Sequence, residues 1–304
     1  MAGPVSESQE QVLLLGPRRS LVGVYSRPAD AGSERPILVI LNAGILHRVG
    51  ANRLHVVLAR ALATLGVPVL RFDLSGVGDS APREDALPLL DGVLADIREV
   101  FDQLESKHGA NGFILAGLCS GAMHSLLAGA ADPRVKGLIM LDLFVPRTRG
   151  FYLRYYLKRS VNLGGVGRFL TGRHPSWRRL RAQLERAWKR GDDPAGATSV
   201  TIADIRRGMQ TAFTTLLRRD VKLLAAFTSG LTGQHNYRRQ LLDAFPEVSF
   251  GRALRLEYLE DVDHTFTLAQ SRARLLALVT EWIEAEFPGR PAAAKSHATS
   301  GTVS

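Results

Sequence analysis

The residues "GFILAGLCSGAMHSLLAGAA", 112–131, join a strand-like run to a helix-like run through a single turn. The first six residues are apolar or small and suit a buried strand, and the second half favours a helix. Between them, Gly117 and Gly121 flank Cys119 in a Gly-x-Cys-x-Gly pattern. Small neighbours let a strand double back into a helix and push the residue at the turn outward. The pattern therefore predicts a nucleophile elbow with Cys119 at its apex, and a buried structural cysteine is the alternative.

Apolar runs alternate with helical patterns along the rest of the chain. Six runs have the continuous apolarity of buried strands: residues 36–42, 68–73, 112–117, 137–143, 223–229 and 254–259. Between them, apolar residues recur with a period of 3.6, as in amphipathic helices. An earlier pair of runs, "VLLLG" and "SLVGVYS", predicts an antiparallel hairpin at the sheet edge. The alternation predicts an α/β fold with a mostly parallel sheet flanked by helices.

The strand–helix alternation breaks after Leu143, and about seventy-five residues with helical spacing precede the next strand. We interpret this segment as a helical cap inserted into a single large domain. The predicted organisation is a disordered N-terminus at 1–10, a core at 11–145 and 219–287, a basic helical cap at 146–218, and a disordered tail at 288–304.

Positive charge is concentrated in the predicted cap. The formal net charge of the 304 residues is +10, and thirteen arginines and lysines face one acid between Pro146 and Arg190. Such a segment suits an anionic ligand, a nucleic acid or a membrane surface, or it solvates exposed helices. No zinc-ligand spacing or aromatic RNA-binding motif accompanies the charge, so we expect no nucleic-acid partner.

Composition excludes several other classes of protein. The chain has one cysteine, so it holds no internal disulfide. It has no uncharged apolar run of 18 residues, and its first residues do not resemble a secretory signal. We expect a cytoplasmic protein that needs neither a metal nor an organic cofactor.

Two further patterns stand where a hydrolase elbow needs them. His264 follows the last predicted strand in "DVDHTFT" and is placed to act as the general base for Cys119. "NAG" at 42–44 ends the first buried strand, where the backbone N–H of Gly44 would contribute to an oxyanion hole. The backbone N–H of Ser120 is the expected second donor.

Taken together, "LNAG", "RFDLSGVGDS", "GLCSGA" and "DHTFT" resemble the α/β-hydrolase family over roughly residues 11 to 287. The stretches "HRVGANRLHVVLARAL" and "GLCSGA" are most similar to bacterial serine-aminopeptidase-like and exosortase-associated hydrolases. The resemblance implies a serine or cysteine nucleophile, a histidine base and a helical cap. It does not indicate a substrate.

One departure from the family pattern concerns the acid. The family usually carries an aspartate after the strand that follows the cap, but Leu231 stands at the expected place. Asp142, at the end of the strand after the elbow, is the substitute that we predict. Asp261 and Asp263 are expected to shape the loop of His264. A thiol needs less help to ionise than a hydroxyl, so a Cys–His pair can work with a weak third member, although loss of catalysis fits the same pattern.

The predicted function is hydrolysis of an ester or thioester through an acyl-enzyme on Cys119. An acyltransferase on the same fold and a non-catalytic binding protein are the alternatives. Four cap residues are candidates for substrate contact: Phe151, Tyr155, Arg154 and Arg159. We expect a small acyl substrate, with an anionic group if the cap charge faces the site.

Overall fold

The computed structural model describes residues 9–28, 35–160 and 201–289. Eight strands form one sheet in the order β1-β2-β4-β3-β5-β6-β7-β8. Their bounds are β1 Gln9–Leu15, β2 Leu21–Arg27, β3 Ile37–Ile40, β4 Val69–Phe72, β5 Phe113–Leu118, β6 Val135–Leu141, β7 Lys222–Thr228 and β8 Leu254–Leu259. The pairs β1/β2 and β2/β4 are antiparallel, whereas β3/β4, β6/β7 and β7/β8 are parallel.

The α-helices of the described residues lie between these strands or, for the last helix, after β8. Their bounds are α1 Leu54–Thr64, α2 Leu89–His108, α3 Ser120–Ala131, α4 Arg149–Ser160, α5 Ile202–Arg218, α6 Gln240–Ala244 and α7 Ala269–Glu286. The α/β prediction is confirmed, as is the antiparallel hairpin at one edge of the sheet. Every run predicted as a buried strand contains or overlaps a strand of the structure.

The described residues divide into two compact units. The first comprises 9–28, 35–115, 134–136 and 268–289. Here β3 and β4 are fully buried, and α1 packs on β4 and on α7. The stacked rings of Phe101 and Phe113, with centroids 3.8 Å apart, hold α2 against the start of β5. Apolar packing of this kind supplies most of the stabilising free energy of a domain.

The second unit comprises 116–133, 137–160 and 201–267. In this unit α3 packs on α5, where Phe213 and Leu216 are fully buried. The parallel strands β6, β7 and β8 end side by side, so the residues that follow them are brought to one edge. Cys119, Asp142 and His264 all belong to this unit.

The predicted termini and cap lie only partly within the described residues. β1 begins at Gln9, so the last two residues of the predicted disordered N-terminus belong to a strand. Residues 1–8 and 290–304 of the two predicted termini lie outside the described residues, as do residues 161–200 of the predicted cap. Within the described residues, no helix is long and apolar enough to cross a membrane.

Candidate active site

The turn between β5 and α3 has the geometry of an elbow. Cys119 has φ 57° and ψ −112°, a backbone conformation that a non-glycine residue adopts only at a cost of about 1–3 kcal/mol. A Cβ atom on Gly117 would lie 2.1 Å from the carbonyl carbon of Gly121, so only glycine permits this close approach. The Cys119 N–H donates to the carbonyl of Leu141 at the end of β6, at 2.9 Å. The turn thus presents an exposed thiol at the N-terminus of α3.

The loop after β8 carries His264. Asp263 holds this loop by accepting hydrogen bonds from Thr265 and Thr267, at distances of 2.7–3.2 Å. Burial raises the pKa of the Asp263 carboxyl, but these hydrogen bonds outweigh burial and lower the pKa to about 2. Asp263 therefore acts on the loop, while the imidazole ring of His264 bonds elsewhere.

A second contact fixes the same loop against the end of β7. The Gly230 N–H donates to the carbonyl of Val262 at 3.0 Å. A Cβ atom on Gly230 would lie 2.7 Å from the backbone nitrogen of His264. Any larger residue at 230 would therefore displace the histidine loop.

The carboxylate of Asp142 is hydrogen-bonded to the imidazole ring of His264. The Asp142 side chain is 1% exposed, and its Oδ2 lies 2.7 Å from His264 Nδ1, which is within hydrogen-bond distance. The other ring nitrogen, Nε2, is left to face the thiol, and a hydrogen bond joins the His264 ring to Cys119. The structure thus brings Asp142, His264 and Cys119 into one hydrogen-bonded chain.

The charges of this chain favour an ion pair. The hydrogen bond with His264 holds the pKa of the Cys119 thiol below its ordinary value of 9.0, and the backbone N–H of Ser120 lowers the pKa further. Hydrogen bonds with Asp142 and then with Cys119 raise the pKa of His264 from 6.5 to about 9. Both shifts favour thiolate and imidazolium over thiol and imidazole near neutral pH.

Two backbone N–H groups, those of Ser120 and Gly44, are the predicted oxyanion donors. Ser120 is the first residue of α3, and its N–H points to the sulfur side of the elbow, where it bonds the thiol. Gly44 follows β3 and has φ 57°, a conformation that suits glycine. The role of each N–H as an oxyanion donor stays a prediction.

The end of β7 holds a residue that the sequence argument missed. Leu231 lies in the one-turn 3-10 helix Ser229–Leu231 and brings no carboxylate. Three residues earlier, Thr228 donates its N–H to Asp142 Oδ1 at 2.6 Å and its hydroxyl to Oδ2 at 2.7 Å. A hydroxyl at the end of an apolar strand was the available signal, but threonine is also an ordinary strand residue.

The four predicted substrate contacts lie on α4. Phe151 is 2% exposed and packs against Tyr152 and Tyr155 of the same helix. Tyr155 is half-buried, and the side chain of Arg159 lies outside the described residues. Arg154 is exposed, and its guanidinium lies 4.2 Å from the centroid of the Tyr237 ring. Contact of these residues with a ligand stays a prediction.

A second buried aspartate follows β4, in "DLSGVGDS". The side chain of Asp73 is fully buried and accepts hydrogen bonds from the backbone N–H and the guanidinium of Arg48, both at 2.5 Å. Asn42 and the N–H of Asp79 donate to it at 3.2 Å. The Arg48 guanidinium also bonds Asp79, at 2.6 Å. This acid is committed to a salt bridge that ties the loop after β3 to the loop after β4.

The order and direction of the strands are those of the α/β-hydrolase fold. Residues 37–147 match the family described as serine aminopeptidase S33, which spans β3 to the loop after Asp142. No curated protein sequence matches the chain.

Solved structures share the fold at low sequence identity. An α/β serine hydrolase without a lid from Xanthomonas campestris is 18% identical with a TM-score of 0.54, over 95% of this chain and all of that one. An esterase from Pyrococcus furiosus is 14% identical with a TM-score of 0.53, over 92% and 91%. The α/β hydrolase GrgF from Penicillium sp. is 15% identical with a TM-score of 0.55, over 92% and 98%. At these identities the likeness concerns the fold.

Proposed function

We propose that this protein hydrolyses an ester or thioester through a covalent acyl-enzyme on Cys119. The observation that carries the proposal is the hydrogen-bonded chain from the buried Asp142 through His264 to an exposed thiol at a strained turn. Strain, an ion pair and an orienting carboxylate are features that active sites share. A structural cysteine needs none of the three.

In the first half-reaction the Cys119 thiolate attacks the carbonyl carbon, and the carbonyl π electrons move to oxygen. The N–H of Ser120, with that of Gly44 as the expected second donor, would stabilise this oxyanion. The oxyanion then re-forms the carbonyl as the bond to the leaving alcohol or thiol breaks, and the His264 imidazolium gives its Nε2 proton to the leaving group. The product is a thioester on Cys119 and a neutral imidazole.

In the second half-reaction water attacks the thioester carbon and passes a proton to His264 Nε2. The C–S bond breaks, which releases the carboxylic acid and restores the thiolate–imidazolium pair. Asp142 keeps Nδ1 as the donor nitrogen throughout and stabilises the imidazolium. The sum is one ester and one water in, one acid and one alcohol out.

The test uses intact mass and turnover with a panel of alkyl esters and thioesters. We expect an acyl adduct on the full chain, and Cys119→Ala is expected to lose turnover by at least about 10³-fold. Cys119 is the single cysteine, so alkylation by iodoacetamide reports on it without ambiguity. Undiminished turnover in Cys119→Ala would contradict the proposal. Products formed with an added alcohol or amine in place of water would identify an acyltransferase.

The proposal extends to an anionic substrate group that the arginines of α4 attract. One arginine of α4 and one just before it make internal contacts: Arg154 lies over the Tyr237 ring, and Arg147 donates to the carbonyl of Gly233 at 3.1 Å. These contacts also fit a second explanation, in which the charges only solvate the helix.

Salt separates the two explanations, because attraction of exposed charges is screened within about 8 Å at physiological ionic strength. If the arginines attract substrate, kcat/KM for an anionic ester falls as salt rises, and a neutral ester of the same acyl group shows no fall. The double change of Arg154 and Arg159 to Gln should then remove the difference. An equal response of both esters would leave solvation as the explanation.

A further inference from the structure

We infer that Thr228 is a positioning residue for this reaction: its N–H and its hydroxyl hold the Asp142 carboxylate in the orientation that receives His264. The inference rests on the proposed function, and it assigns to the end of β7 a part in the site although that strand end brings no acid. Thr228 would not touch the substrate. It would act through Asp142.

The contacts form a clamp on both carboxylate oxygens. Oδ1 accepts the Thr228 N–H at 2.6 Å, and Oδ2 accepts the Thr228 hydroxyl at 2.7 Å. Oδ2 also lies 2.7 Å from His264 Nδ1. Thr228 is 1% exposed and Asp142 is 3% exposed, so the clamp lies away from solvent. Two donors from one residue fix the plane of the carboxylate as well as its distance.

The register between β6 and β7 brings Thr228 next to Asp142. Leu141 of β6 pairs with Ala226 of β7, and the next residue, Asp142, donates its N–H to the carbonyl of Ala226 at 2.9 Å. Asp142 then turns out of the sheet with φ 46°. Thr228 is still extended, with φ −97° and ψ 151°, and its N–H and hydroxyl point to the same carboxylate.

The clamp matters because a carboxylate can rotate about its Cβ–Cγ bond. A rotated Asp142 would offer His264 a poorer acceptor, and the imidazolium would lose part of its stabilisation. Two other roles for Thr228 make different predictions. If the hydroxyl only draws charge from Oδ2, its removal makes that oxygen a stronger acceptor. If Thr228 only fills space, its removal leaves the ionisation of His264 and Cys119 unchanged.

The experiment compares Thr228→Val, which keeps the shape and the N–H, with Thr228→Ser, which keeps the hydroxyl. Thr214→Val is the matched control, because the Thr214 hydroxyl bonds its own helix at Gln210 and is exposed. Each full-length variant is examined by NMR titration of the His264 ring, by the pH dependence of Cys119 alkylation, and by ester turnover. The histidine signal is assigned by its loss in His264→Gln.

We expect Thr228→Val to lower the pKa of His264, to raise the pKa of the Cys119 thiol, and to lower kcat about tenfold with little change in KM. Thr228→Ser should restore all three quantities, and Thr214→Val should change none. A lower melting temperature with unchanged titrations would overturn the inference, as would a higher pKa of His264.

The ring titration and the alkylation need no substrate, so they test Thr228 even where turnover fails. If the parent protein shows a lowered thiol pKa but hydrolyses nothing, the proposed function is wrong while the titrations still decide on the clamp. If Thr228→Val does not fold, Thr228→Ala and Thr228→Ser carry the same titrations. Equal His264 titrations in the alanine and serine variants would then contradict the inference.

Discussion

Asp73 and Asp142 are both buried aspartates at the ends of strands, but their hydrogen-bond partners differ in charge. Asp73 is bonded by the guanidinium and N–H of Arg48, a side chain that stays charged at any working pH. Asp142 is bonded by the neutral donors of Thr228 and by an imidazole that can gain and lose a proton. Burial and position at a strand end are therefore shared features. The partner decides whether a buried carboxylate holds a loop or, as we propose for Asp142, orients a histidine.

The largest expected effect separates the two acids by activity. Asp142→Asn removes the charge that stabilises the His264 imidazolium, so kcat/KM for an alkyl ester should fall by about 10³-fold. The pKa of His264 should fall from about 9 toward 6.5, and NMR titration measures it. Turnover close to that of the parent would mean that Asp142 is no more catalytic than Asp73.

The next effect separates the acids by stability. Asp73→Asn leaves the Arg48 guanidinium without its buried partner, and we expect the free energy of unfolding to fall by about 3 kcal/mol. Urea denaturation measures this change, and Asp79→Asn is the control because Asp79 is largely exposed, with an expected loss below about 1 kcal/mol. The alkylation rate of Cys119 should stay within about twofold of the parent. A large fall in that rate would remove the distinction between the aspartates.

The pH dependence of turnover tests whether the imidazole beside Asp142 gains and loses a proton, which the Arg48 guanidinium beside Asp73 does not. As pH rises through the lowered pKa of Cys119, the thiolate forms and kcat/KM for an alkyl ester rises. As pH rises through about 9, His264 loses the proton that the leaving group needs, and kcat/KM falls. Alkylation needs only the thiolate, so its rate should rise and then stay level. A single rise in both measurements would contradict an acid role for His264.

The smallest effect concerns the strand end where an acid is usual. Leu231→Asp places a carboxylate in the turn after β7, but the His264 ring is already bonded to Asp142. We expect kcat/KM to change by less than about threefold in the parent, and rescue of Asp142→Asn to stay below about tenfold. Full rescue would show that the loop after β7 can still hold the acid without help from Thr228.

The fold could be predicted because its signals are local. Continuous apolar runs gave each parallel strand, and the glycines around Cys119 predicted a turn whose φ of 57° the structure contains. The position of Phe151 could not be predicted in the same way. An aromatic residue on a helix suits a ligand pocket and a packed interface equally, and its 2% exposure depends on neighbours far along the chain.

The candidate site could be predicted from the sequence where one residue fixed the expected place of another. The elbow predicted a histidine after the last strand. Because Leu231 stands where an aspartate is usual, Asp142 was the predicted acid. Thr228 and the Asp73–Arg48 pair could not be predicted, because their importance depends on side-chain contacts. A hydroxyl in "AAFTS" and an arginine in "LHRVG" are ordinary residues until the strand ends are brought together.

The bond from the Cys119 N–H to Leu141 has a consequence for insertions and deletions. Leu141 accepts this bond through its carbonyl, and the following residue is Asp142, so one peptide unit sets the spacing between elbow and acid. A single-residue insertion or deletion inside β6 would shift Leu141 and Asp142 by one residue relative to the neighbouring strands. The side chains of the shifted residues would then point to the opposite face of the sheet. A change of length beyond Pro146 leaves that peptide unit intact. We therefore expect a change of length inside β6 to disturb the candidate site and a change beyond Pro146 to leave this spacing intact.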